Sequence, residues 1–73
     1  MNTELTKMEF RVYEIEHSED LSDAISELQR YGAEKITVVS TDFDESESAK
    51  FEVFVPENKV KEFILDVRTQ MCV

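Results

Sequence analysis

The chain has 73 residues, 41% of them hydrophobic, with 17 acidic side chains against 8 basic ones and a net charge of −9 at neutral pH. A length of this order allows one domain, burying only about 60% of its unfolded surface, while five Phe supply enough apolar surface to exclude a disordered acidic tail. One cysteine, Cys72, excludes an internal disulfide and leaves no cysteine framework for a metal.

Residues 1–7 are polar and are expected to form a flexible N-terminus, with a single α+β domain over residues 8–73. From Met8 to Ile15, Met8, Phe10 and Val12 alternate with Glu9, Arg11 and Tyr13, which predicts a strand. Ser18 then suits a helix N-cap, with Glu19 and Asp20 in the first turn. Leu21, Ala24, Ile25, Leu28 and Tyr31 recur at helical spacing, and Gly32 stands where a left-handed C-terminal cap is wanted. Lys35 to Thr41 contains the run Ile36, Thr37, Val38 and Val39 and predicts a second strand. An acidic connection over residues 42–49 leads to a third strand, Lys50 to Val55, stopped by Pro56. Val60, Phe63, Ile64, Val67 and Met71 mark a second amphipathic helix, on which Glu57 and Lys61 stand four apart.

The order β-α-β-β-α is that of a ferredoxin-like unit lacking its last strand, a truncated sheet of three strands with two helices on one face. A right-handed crossover makes strands one and two parallel, with the third between them. Strand one is then an open edge. The face away from the helices is expected to carry Tyr13, Ile15, Val39 and Phe54, apolar enough to join two copies as a homodimer, unless the edge does so.

The charge is concentrated. Glu14, Glu16, Glu19, Asp20, Asp23 and Glu27 occupy a stretch without Lys or Arg, and Asp42, Asp44, Glu45, Glu47 and Glu52 face Lys50 alone. Both stretches leave the sheet at the C-terminal ends of the parallel strands, which predicts one contiguous negative surface. Such a surface repels nucleic acid and anionic membranes and favours basic partners.

Signatures of catalysis are missing, so no enzyme and no cofactor is expected. His17 and Ser18 adjoin Asp20 on a single turn, whereas a catalytic triad joins separated elements. The one glycine leaves no phosphate-cradling loop. Asp42 and Asp44 open like a calcium loop, but Glu47 then stands where Gly is required and Val53 where a bidentate Glu is required, so no metal is expected. The N-terminus lacks the apolar run of a signal peptide and no stretch approaches the roughly 18 apolar residues of a spanning helix, which points to the cytoplasm.

Ser18-Glu-Asp-Leu21-Ser-Asp-Ala-Ile25-Ser-Glu-Leu28, followed by Tyr31-Gly32-Ala-Glu-Lys-Ile36, resembles the first helix and second strand of the ACT-type regulatory domains. That resemblance implies the same order of elements, pairing through sheets, and a small ligand at the turn His17–Asp20. By type, as a short acidic domain without enzyme motifs, the chain is also similar to phage-encoded host-takeover proteins and DNA mimics. This second resemblance implies a host cytoplasm and a basic DNA-binding partner, such as a nucleoid-associated protein of the HU type. Its phosphate surrogates would be Glu14, Glu16, Glu19, Asp20, Asp23, Glu27, Asp42, Asp44, Glu45 and Glu47. An adaptor that uses Tyr13, Val39 and Phe54 on a partner protein is a third expectation.

Overall fold

The computed structural model describes residues 4–73, so the expectations for residues 1–3 lie outside it. The elements are β1 (Leu5–Tyr13), α1 (Ser18–Arg30), β2 (Lys35–Asp42), β3 (Ser48–Pro56), a 3-10 turn (Glu57–Lys59) and α2 (Val60–Gln70). They form an α+β fold in the expected order β-α-β-β-α. The sheet runs β1-β3-β2, with β3 antiparallel to both neighbours. Central position explains the composition of β3. Ala49, Phe51, Val53 and Val55 point to one side and are all fully buried. Ala24 and Leu28 of α1 and Phe63 and Val67 of α2 bury in that same core, so both helices cover one face of the sheet. The Phe10 and Phe63 rings meet at 6.3 Å, tying β1 to α2.

β1 corrects the expected boundaries at both ends. It begins at Leu5, where Leu5 pairs with Pro56 and Lys7 with Phe54, so residues 5–7 are strand rather than a loose terminus. Polar Thr6 and Lys7 are compatible with this because an edge strand keeps one side in water. At the other end the strand stops at Tyr13. Glu14 adopts a left-handed φ of 64°, which breaks the alternation and turns Ile15 inward. Ile15 is 3% exposed and belongs to the core, not to the open sheet face.

α1 is capped one residue earlier than expected, at His17 rather than Ser18. The reason is Asp20, whose carboxylate accepts the backbone amides of Glu16 and His17 at 2.9 and 3.0 Å and so fixes the turn before the helix. At its far end Gly32 has φ 122°. The Gly32 amide donates to the Gln29 carbonyl and the Ala33 amide to the Leu28 carbonyl, the paired bonds of a Schellman cap.

Three further departures concern the other elements. Pairing shifts between Val38 and Ser40, so Val39 sits on a bulge of β2. The chain after Pro56 makes a 3-10 turn before α2, which removes Glu57 from the helix face that Lys61 occupies. Ile64, expected in the buried stripe of α2, is 40% exposed. Beyond α2 the chain becomes extended at Met71, and the Tyr13 amide donates to the Cys72 carbonyl at 2.7 Å. The tail thus touches the outer edge of β1.

Candidate functional site

The two acidic stretches meet. The Ile15 amide, in the β1–α1 junction, donates to the Glu47 carbonyl in the β2–β3 turn at 2.8 Å. Glu47, like Glu14, has a left-handed φ, 49°, and both depart from the broad allowed regions for a residue with a Cβ. Side chains follow the backbone. A side-chain hydrogen bond with Glu16 holds the Glu47 carboxyl above its ordinary value, reinforced by the Glu16 charge and by desolvation and opposed by His17. Two carboxylates held this close repel, which disfavours the charged form of Glu47.

A second cluster lies beside the first. Glu14, Asp20, Asp23 and Glu27 line a concave pocket of about 170 Å³ between β1, α1 and the C-terminal tail, with Cys72 on its wall. Asp20, Asp23 and Glu27 fall at i, i+3 and i+7 of α1, which is one helix face. Glu19, four residues before Asp23, is exposed and outside the pocket. Glu27 accepts a hydrogen bond from the Tyr31 hydroxyl at 3.2 Å. The Tyr31 hydroxyl is pushed up in pKa by burial and then by the Glu27 charge. The Cys72 thiol is also pushed up, first by its side-chain hydrogen bond with Glu14 and then by that charge, so it is no activated nucleophile.

Asp20 and Asp42 have structural work of their own. The Glu16 and His17 amides lower the Asp20 pKa. Asp42 accepts the Glu45 amide at 3.1 Å, the Ser46 amide at 3.4 Å and the Ser46 hydroxyl at 3.0 Å. These bonds fold the β2–β3 turn and lower the Asp42 pKa, with the Glu45 amide the largest cause. The turn is anchored by the Ser46–Ser48 hydroxyl contact and by Arg11, whose Nη1 donates to Ser48 Oγ at 2.9 Å. Asp44 and Glu45 are exposed on this turn. Among the described residues no group of three or more His, Cys, Asp or Glu is arranged to hold a metal ion, and no helix is long and apolar enough to cross a membrane.

The expected apolar interface is not assembled. Ile15 is in the core, Val39 is on the bulge, Tyr13 is exposed and Phe54 is half-buried beneath Lys35, whose Nζ lies 6.0 Å from the ring centre. Sequence reasoning missed what stands between these residues. Alternation from the core-facing Met8, Phe10, Phe51, Val53 and Ile36 puts Lys7, Glu9, Arg11, Lys35, Lys50 and Glu52 on the open face. Glu9 pairs directly with Glu52 and Arg11 with Lys50. Diagonal ion pairs, Lys7–Glu52 at 3.3 Å and Lys50–Glu9 at 3.0 Å, offset these like-charged neighbours. The polar half of each strand's alternation was the signal that could have found them.

Compared with known proteins, the chain matches no family model, no curated protein and no solved structure.

Proposed function

We propose that the chain is an acidic protein-binding inhibitor that mimics DNA and occupies the DNA-binding surface of a basic protein, with the nucleoid-associated HU type as the target class. The observation that carries this reading is the bond from the Ile15 amide to the Glu47 carbonyl at 2.8 Å, which brings two acidic stretches distant in sequence side by side. Charges so placed raise the energy of the free protein. A row of Lys and Arg side chains, arranged to take up phosphates, relieves that repulsion on binding.

The distribution of the cations adds support. Lys7, Arg11, Lys35 and Lys50, half of the 8 basic residues, lie on the open sheet face. Lys7, Lys35 and Lys50 are thereby held on the sheet face, while Arg11 alone of the four reaches the acidic turn, through Ser48, and helps to lower the Asp42 pKa. Glu14, Glu16, Glu19, Asp23, Glu27, Asp44, Glu45 and Glu47 are the residues with which the surface reaches a partner, and the pocket beside Asp23 suits one inserted Lys or Arg. Asp20 and Asp42 serve by shaping the two loops.

Nothing observed favours the ligand-sensing reading over this one, since the amides of the turn before α1 are already taken by Asp20. The adaptor reading is weakened by the charges that interrupt its apolar face. A mobility-shift titration tests the proposal: the protein is added to an HU-type protein bound to duplex DNA. Free DNA should appear as the protein approaches excess, and DNA that stays bound at every ratio overturns the reading.

A further inference from the structure

β1 is an edge strand of the sheet. Among the described residues, its one outward backbone bond is that of the Tyr13 amide to Cys72, while the Glu4 carbonyl turns the other way, to the Glu57 amide. Because amides and carbonyls of an antiparallel strand alternate in direction, Leu5, Lys7, Glu9 and Arg11 also point theirs outward. Behind this edge, between β1 and α2, lies a mainly apolar groove of about 310 Å³ whose lining includes Met8, Phe10, Phe63 and Ile64 together with the charged Glu9 and Arg68. Ile64 and Val73 are 40% and 49% exposed.

We propose that a second copy of this chain lays its own β1 antiparallel along the edge, with Met8 at the twofold axis and Lys7 facing the partner's Glu9. The charge pattern selects this register. Along the edge the side chains run Lys7, Glu9, Arg11, so an antiparallel copy meets a complementary charge only in some alignments. Placing Lys7 opposite Lys7, or Glu9 opposite Glu9 with Lys7 opposite Arg11, sets like charges together, which destabilises a sheet. Placing Glu9 opposite Arg11 sets Lys7 against Tyr13, where the Cys72 carbonyl already occupies the edge. Lys7 opposite Glu9 is the alignment that remains. It pairs opposite charges twice by symmetry and stops short of the tail. It also supplies a second cation to Glu9, which faces Glu52 directly within its own sheet. Met8, Phe10 and Ile64 are covered in the process, and two copies carry twice the charge of −9 on one particle.

Sedimentation of the full chain across micromolar to millimolar concentrations tests this, with circular dichroism to verify folding of each variant. The chain should form dimers; Lys7→Glu and Glu9→Lys should each be monomeric, and an equimolar mixture of the two variants should dimerise, because each then meets the opposite charge on the other. A second readout needs no charge change. With Cys72→Ser in the background, Met8→Cys should cross-link between copies on oxidation, since a directly opposed antiparallel pair of the non-hydrogen-bonded kind stands about 4.5 Å apart at Cα, within disulfide range. A wild-type chain that stays monomeric leaves the edge to another protein's strand and overturns the proposal. So does a dimer indifferent to both charge changes, a mixture that fails to associate, or a Met8→Cys chain that does not cross-link.

Discussion

Glu16 and Glu47 bring their carboxyl groups together across the boundary between the β1–α1 junction and the β2–β3 turn. The backbone enforces the meeting, because the Ile15 amide is bonded to the Glu47 carbonyl at 2.8 Å and both flanking acids, Glu14 and Glu47, hold left-handed φ. Repulsion between the side chains is therefore built into the fold, and it has consequences for stability as well as for binding.

Because the Glu47 carboxyl lies above its ordinary value of 4.5 in the folded chain, the folded state binds its proton more tightly than the unfolded state does. That preference stabilises the fold below the unfolded value and is lost as pH rises through the folded one. Glu47→Gln should thus raise the urea midpoint at neutral pH and narrow the difference from wild type as pH falls towards 4.5. An unchanged or lower midpoint at neutral pH contradicts the repulsive contact.

Asp20 and Asp42 carry the opposite sign. Their carboxyls lie below the ordinary value of 3.8, chiefly through backbone amides, so their contribution is present above that value and disappears as pH falls through the lowered one. Asp20→Ala and Asp42→Ala should each lower the midpoint at neutral pH. In strong acid both variants should converge on wild type. Wild-type chain should accordingly be most stable in mild acid, between the Glu47 and Asp titrations, which a series of urea melts against pH will show.

The core predicts steeper losses. Phe51 is fully buried at the centre of the middle strand, and Phe51→Ala should cost about 3–5 kcal/mol. A domain of this size has a total stability of only about 4–11 kcal/mol at typical values per residue, so that variant should be near unfolding at room temperature. Val39→Ala, on the exposed bulge, should change stability by about 0.5 kcal/mol or less. Chemical denaturation of the two variants checks the contrast.

Much of this architecture was legible in the sequence because periodicity reports burial directly. The stripe from Leu21 to Tyr31 and the Phe51-Val53-Val55 alternation located α1 and β3, and Gly32 located the helix cap. What escaped was set by single backbone conformations and by contacts distant in sequence. Ile15 extends the alternation of β1 in the sequence, but the left-handed Glu14 turns it inward. The Leu5–Lys7 start of β1 depends on pairing with Phe54–Pro56, and a polar edge strand has no periodic signature. The acidic site was half legible. Topology predicted that the 14–20 junction and the 42–49 connection share one pole, while the capping role of Asp20 and the turn-forming role of Asp42 needed hydrogen-bond geometry. Cys72 gave no signal, since its importance is a carbonyl placed on the edge of β1.

The most direct test of the acidic surface is the affinity for an HU-type protein measured by calorimetry across a salt series, for the wild type and for a Glu16→Gln, Glu47→Gln double variant. Binding through these carboxylates should weaken steadily as salt screens the charges. The double variant should bind more weakly, by up to roughly tenfold for each interfacial carboxylate removed. Equal affinity for both chains at every salt concentration, or no binding by the wild type at low salt, contradicts the account.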